Sequence, residues 1–211
     1  MVYRKGKGKL VALEHQHAMH TMTVAEYLRL EERDPDHLYE YIDGNVYMMA
    51  GGSLDHDMIK SNVQSILRAL LRGSQCRVYS SDANVQVSET RYLHPDVTVT
   101  CNPQDRGKKQ MVQSPRLVVE VLSPSTERRD RTSKMKMYRA YSSIEEYMLV
   151  NTRFPMVELH RRENGKWIYN VFDENDEVIL SSLGLQFPCS AVYEDIDFAE
   201  ETPSDEDTDQ E

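Results

Sequence analysis

Leu117-Val118-Val119-Glu120-Val121-Leu122-Ser123-Pro124-Ser125-Thr126 is the stretch on which the fold turns. Apolar, mostly β-branched residues flank Glu120, the pattern of a central strand covered on both faces. A bare carboxylate there is costly to desolvate, so it must be protonated, paired or bound to a metal. The Ser-Pro-Ser-Thr that follows ends the strand and opens a polar turn. Upstream, His94-Pro95-Asp96-Val97-Thr98-Val99 starts another strand from Pro-Asp. Two neighbouring strands, each with one acid near an end, can make a divalent-metal site.

Around this centre the chain divides into three parts. Residues 1–21 read as a flexible arm, basic at first and then His-rich at His15, His17 and His20. A disordered His tract explains that composition better than a built metal site. Residues 22–197 form one domain, and residues 198–211 form a disordered acidic tail. Order begins at Thr23-Val24-Ala25-Glu26, a capping box that predicts a short helix to about Glu32. Asp43-Gly44, between Tyr39–Ile42 and Asn45–Met49, predicts a β-hairpin. Met58, Ile59, Val63, Ile66, Leu67 and Leu70 predict a helix over 54–72 closed by Gly73, with His56 in its first turn. Strands are expected over 76–80, 83–88, 96–101 and 116–122, then a helix over 127–141 and a strand over 146–150. A second hairpin spans 156–172 around Asn164-Gly165.

The 211 residues suffice for one well-buried domain. No apolar run reaches the roughly 18 residues of a membrane span. Cys76, Cys101 and Cys189 are odd in number, far apart and free of any CxxC spacing. That argues against a disulfide framework or zinc knuckle and for a reduced, cytoplasmic protein.

The net charge of −10 is misleading until it is divided. Ten of the 35 acids lie in 194–211, leaving as many acids as bases in residues 1–193. Within the body, Gln104 to Arg139 carries ten Lys and Arg against four acids. Such a patch, set around the two candidate metal acids, attracts phosphate-rich ligands, or else forms a solvated charged face.

Several blocks taken in order resemble a known family. These are Met22-Thr23-Val24-Ala25-Glu26-Tyr27-Leu28, Tyr39-Glu40-Tyr41-Ile42-Asp43-Gly44, His56, Ser80-Ser81-Asp82, Pro95-Asp96-Val97, Val118 to Thr126, and Asp130-Arg131-x-x-Lys134-x-x-x-Tyr138. Together they resemble the Uma-type family of bacterial restriction endonucleases, within the PD-(D/E)XK nuclease superfamily. The resemblance implies an α/β, restriction-endonuclease-like fold: a mixed sheet flanked by helices, with additional β-hairpins. It implies a Mg²⁺-dependent endonuclease acting on DNA, Mn²⁺ being an alternative cofactor, with Asp96 and Glu120 as metal ligands. Glu40 would be an accessory acid, and Lys134 would position and deprotonate the attacking water. The superfamily lysine normally lies two residues after the second acid, and that position here is Leu122. Lys134 and Lys136 are the nearest substitutes; they lie about 200° apart on a helix, so they cannot share a face.

The structural alternatives are an ion pair between Glu120 and Arg131, turn-holding roles for Asp96 and Asp82, and a surface position for Glu40. The functional alternative is a catalytically inactive DNA-binding or protein-interaction module of nuclease fold. A homodimer is expected, because cutting both strands of a duplex needs two active sites or a repositioning step.

Overall fold

A computed structural model describes residues 21–49, 51–107 and 111–198. The chain opens with helix α1 (Val24–Arg33), then a hairpin of β1 (Tyr39–Ile42) and β2 (Asn45–Met48), then helix α2 (Leu54–Leu70). Strands β3 (Arg77–Ser80), β4 (Asn84–Ser88), β5 (Arg91–Leu93), β6 (Val97–Thr100), β7 (Met111–Val112) and β8 (Pro115–Val121) follow. A helical crossover comes next: α3 (Glu127–Arg129), a π-helical turn (Asp130–Lys134) and α4 (Met135–Ala140). The last strands are β9 (Glu146–Val150), β10 (Met156–Glu163), β11 (Lys166–Asp173), β12 (Glu177–Leu180) and β13 (Leu185–Pro188).

Three sheets form. The largest runs β11-β10-β9-β8-β6-β3, the second β2-β1-β5-β4-β7, and β12 pairs with β13 alone. In the large sheet β8 and β9 are parallel and the other pairs antiparallel. A parallel pair needs a long connection, here the crossover from Glu127 to Ala140. This is the expected mixed sheet flanked by helices. Its division into two main sheets, and strands β5, β7, β12 and β13, were not anticipated.

Alternation along β8 sorts its side chains. Leu117, Val119 and Val121 join Ile59, Val63 and Leu67 of α2 in one core, while Val118 and Leu122 join Met137 and Tyr138 of α4 in another. A third core of Tyr27, Tyr39, Tyr41 and Tyr92 seats α1 on the second sheet. The capping box at Thr23 and Glu26 is formed as expected. Asp43 and Gly44 both take positive φ, as a tight primed turn requires. Helix α2 stops two residues short of the expected end.

One expectation is overturned among the cysteines. Cys76 and Cys101, just beyond the ends of paired strands β3 and β6, are joined by a disulfide, and only Cys189 is free and buried. Spacing in the sequence could not reveal that the antiparallel register sets the two residues opposite each other. No described helix is long and apolar enough to cross a membrane. The expected arm apart from Thr21, which bridges to Asn45, and the acidic tail apart from Phe198 lie outside the described residues.

Candidate functional site

Glu120 shares a sheet face with Val118 and Leu122, the face covered by the helical crossover. The β6–β8 register pairs Val97 with Val119, so Asp96 stands opposite Glu120 and on the same face. Both acids line one cavity of about 70 Å³, together with His56, Asp130 and Lys134. That volume holds a few waters.

Each acid is held on one oxygen. Asp96 Oδ2 accepts the Val121 N–H at 2.8 Å. Glu120 Oε1 accepts the Lys134 ammonium at 3.0 Å and the Tyr138 hydroxyl at 2.8 Å. His56 Nε2 lies 3.0 Å from the Val121 carbonyl and 3.5 Å from Asp96 Oδ2. A carbonyl only accepts, so Nε2 carries the hydrogen. Gly52 makes room for this ring: a Cβ there would sit 2.6 Å from His56 Nδ1.

Lys134 is the hub. Its Nζ lies 2.8 Å from Glu40 Oε1, 3.0 Å from Glu120 Oε1 and 3.4 Å from Asp130 Oδ1. Arg129 Nη2 reaches Glu40 Oε2 at 2.9 Å, and its guanidinium stacks over the Tyr47 ring. Asp130 and Lys134, four residues apart, share one face of the helical crossover, and the turn between them is π-helical. The Met135 N–H donates to the Asp130 carbonyl five residues back, which widens the turn. Such turns are frequent at functional sites.

The charges do not balance. Four carboxylates (Glu40, Asp96, Glu120 and Asp130) face two fixed cations, Lys134 and Arg129. Burial pushes Glu120 well above the usual carboxylate range; Lys134 opposes this, while Asp130, Asp96 and Glu40 add to it. Burial raises Asp130 as well, against Lys134 and a hydrogen bond from Thr126. Glu40 is held low: its burial is outweighed by Lys134 and Arg129. Burial works against the Lys134 charge, yet Glu120, Glu40 and Asp130 raise its pKa well above normal. Lys134 is therefore an ammonium here, a donor rather than a base. His56 is raised because its bonds to Asp96 and Val121 outweigh its burial.

The structure thus brings together the four expected residues, Glu40, Asp96, Glu120 and Lys134, and corrects several alternatives. Glu40 is 2% exposed, because β1 is inserted between β2 and β5 and is no surface hairpin edge. Arg131 pairs with Glu158 instead of Glu120. Asp82 accepts from Ser80 and lines a separate, larger cavity of about 440 Å³. That cavity contains none of the four expected residues. Lys136 is exposed. The basic segment is partly spent inside the protein, with Arg116, Arg129, Arg131 and Lys134 all in ion pairs. Leu122 lies in the apolar core, so the usual lysine position is closed. Sequence reasoning gave no role to Asp130, Arg129 or Tyr138. The four-residue spacing of Asp130, Lys134 and Tyr138 is the signal that could have found two of them.

Among the described residues no group of three or more His, Cys, Asp or Glu side chains is set to hold a metal ion. The acids nevertheless suit Mg²⁺, which keeps several waters and uses one or two carboxylates beside substrate phosphates. The protein bonds fall on Oδ2 of Asp96 and Oε1 of Glu120, which leaves one oxygen of each for a cation.

The "uncharacterized protein slr1290" of Synechocystis sp. is 38% identical over 175 residues, covering 82% of this chain and 92% of its own. The "uncharacterized protein sll1609" of the same organism is 30% identical over 165 residues, covering 76% and 93%. The crystal structure of "a putative nuclease belonging to DUF820" from Anabaena variabilis superposes with a TM-score of 0.68 at 18% identity, over 82% of this chain and 98% of that one. At that identity the likeness shows a shared fold. Residues 24–191 match the profile of the family described as "Uma2: Putative restriction endonuclease".

Proposed function

The chain belongs to the Uma2 family of "Putative restriction endonuclease", and from that premise we propose that it hydrolyses DNA phosphodiester bonds with Mg²⁺, or Mn²⁺, as cofactor. One observation carries the reading: the buried carboxylates of Asp96 and Glu120 line one small cavity with His56 and Asp130, and Glu40, Glu120 and Asp130 share the Lys134 ammonium.

Asp96 and Glu120 would hold that cation through their unbonded oxygens. When bound, it supplies a lowered pKa for an attacking water and charge neutralisation in the in-line transition state. The Val121 N–H and His56 keep Asp96 in place. Lys134 donates: as an ammonium it orients the water or a phosphate oxygen, and it takes no proton while three carboxylates surround it. This revises the expected role, keeping the positioning and dropping the deprotonation. Glu40 fixes Lys134 and Arg129 as the accessory acid. Tyr138 sets the carboxylate of Glu120.

The test is cleavage of plasmid, linear duplex and single-stranded DNA with Mg²⁺, Mn²⁺ or chelator. Glu120→Gln and Asp96→Asn should each lower the rate by at least about 100-fold. Lys134→Ala should lose cleavage while DNA binding survives. Absence of cleavage with either metal, alongside salt-sensitive DNA binding, would replace the enzyme with a binding module of the same fold.

A further inference from the structure

Residues paired across antiparallel strands share a sheet face. Tyr147 of β9 stands opposite His160 of β10, which stands opposite Tyr169 of β11, and Trp167 stands opposite Arg162. Trp167 packs with Met137, Tyr138 and Tyr147, so this is the face that the crossover covers and that carries Glu120. The cover is incomplete over β11, where Tyr169 and Val171 are 53% and 46% exposed.

A hollow of about 450 Å³ opens between the crossover and β11. It lies on the β10–β11 side of the crossover, whereas the cavity of Asp96 and Glu120 lies toward β6. Arg131, Lys136 and Arg139 line its wall, Trp167 its floor, and no acid lines it. Arg131 is spent on Glu127 and Glu158. Lys136 and Arg139 are not: among the described residues neither side chain meets a carboxylate or a hydrogen-bond acceptor. The Arg139 guanidinium carbon lies 5.4 Å from the centre of the Trp167 ring, which holds the cation without using its N–H donors. Arg162 also lies over that ring, at 4.7 Å, but donates to the carbonyls of Arg139, Tyr141 and Ile144. One guanidinium is consumed and the other is presented. Beyond Trp167, the Tyr169 ring lies 5.0 Å from the His160 ring, and its hydroxyl donates to Glu158. That ring is held in place while half open.

Fixed cations without acceptors match phosphates, and a fixed, half-open aromatic ring beside them matches a planar base. A single nucleic-acid strand presents both at short intervals. A duplex keeps its bases stacked inside and offers the hollow phosphates only. We propose, resting on the DNA reading of the candidate site, that this hollow holds an unpaired stretch of the substrate strand. Its phosphates lie on Lys136 and Arg139, and a base lies on Tyr169. The crossover is one helix wide, about 10–12 Å, which sets the held stretch roughly three nucleotide steps from Glu120. The substrate class narrows to DNA with a single-stranded segment beside the cut.

Trp167 is the only tryptophan of the chain, so its fluorescence reports on the hollow. In chelator, single-stranded oligo-dT of about ten nucleotides should quench it and bind at least about tenfold tighter than a hairpin duplex. Lys136→Gln combined with Arg139→Gln should weaken oligo-dT about 30-fold, read by anisotropy, and flatten the log–log salt slope by about 1.4, for two phosphates. Tyr169→Ala should weaken it about tenfold at an unchanged salt slope. Tyr169→Phe loses the same bond to Glu158 but keeps the ring, and should bind as wild type. Equal affinity for duplex, or binding without a Trp167 quench, would overturn the proposal. So would an equal quench by poly-glutamate. Should the double variant not fold, Tyr169→Ala and Tyr169→Phe decide, and equal binding by the two is a refutation. A protein that cuts DNA while its hollow variants bind as wild type refutes the hollow and keeps the hydrolysis. One that cuts nothing, yet binds and quenches as described, keeps the hollow and refutes the hydrolysis.

Discussion

Glu120 on β8 and Glu158 on β10 are buried carboxylates two strands apart in one sheet, and they are treated in opposite ways. Arg131 grips Glu158 with two bonds, at 2.8 and 2.6 Å, and the Tyr169 hydroxyl adds a third at 2.7 Å. The burial of Glu158 is outweighed by Arg131 and Tyr169, so its pKa is held low. Glu120 shares Lys134 with Glu40 and Asp130, and burial drives it well above the usual range. Burial alone therefore does not decide in which direction a carboxylate is shifted. What decides it is the ratio of acids to cations around each.

The largest test of that contrast removes the shared cation. Lys134→Met strands Glu40, Glu120 and Asp130, and should destabilise the protein by about 3–5 kcal/mol in urea unfolding at neutral pH. Next comes metal. Saturating Mg²⁺ at about 100 times its Kd should stabilise the wild type by about 2.7 kcal/mol, seen as a raised Tm. The increment should vanish in Glu120→Gln and persist in Glu158→Gln. Third, the two amide variants should differ in sign without metal. Glu158→Gln weakens a satisfied pair and should destabilise by about 1–2 kcal/mol. Glu120→Gln relieves a surplus of charge and should be neutral or stabilising by about 1 kcal/mol.

The pH dependence sharpens the same comparison. The folded pKa of Glu120 is well above the ordinary glutamate value of 4.5, so the folded state binds the extra proton. Its stabilising contribution is full below 4.5 and is lost as pH rises through the folded value, at a slope of up to about 1.4 kcal/mol per pH unit. Glu158 behaves inversely: its contribution is present above 4.5 and is lost as pH falls through the lowered folded value. Urea midpoints from acid to neutral pH should show the Glu120 slope disappear in Glu120→Gln and remain in Glu158→Gln. The smallest expected effect is that of Lys136→Ala. This exposed lysine should change stability by less than about 0.5 kcal/mol and DNA affinity only modestly.

The legible part of the site was the part set by strand patterning. Glu120 announced itself as a charge inside a β-branched run, and Asp96 by opening the next apolar strand. Lys134 was legible through family resemblance, and helical phase separated it from Lys136. Arg129 was not assigned, because its place depends on β1 packing against the crossover, whereas Asp130 carried a signal in its four-residue spacing from Lys134 that went unused. Such packing leaves no mark in local hydrophobic periodicity. Glu40 was legible as an accessory acid only through the resemblance, and a surface position stayed open beside it because the strand that covers its flank, β5, is three residues long and far away in sequence. The disulfide and β12–β13 likewise depend on register between distant segments.

The crossover between β8 and β9 also bears on the order in which the site forms. Glu120, Asp130 and Lys134 lie within one stretch of chain, fourteen residues from acid to ammonium, so their contacts close a short loop. Glu40 arrives from the far side of α2 and must close a much longer one, at a greater entropic cost. Folding can set Lys134 against Glu120 and Asp130 early, with Glu40 and Arg129 locking the hub only when the second sheet docks. Opening runs in reverse: partial unfolding that frees β1 exposes the arginine and removes one of the ammonium's three partners, while the β8–crossover–β9 unit keeps the other two.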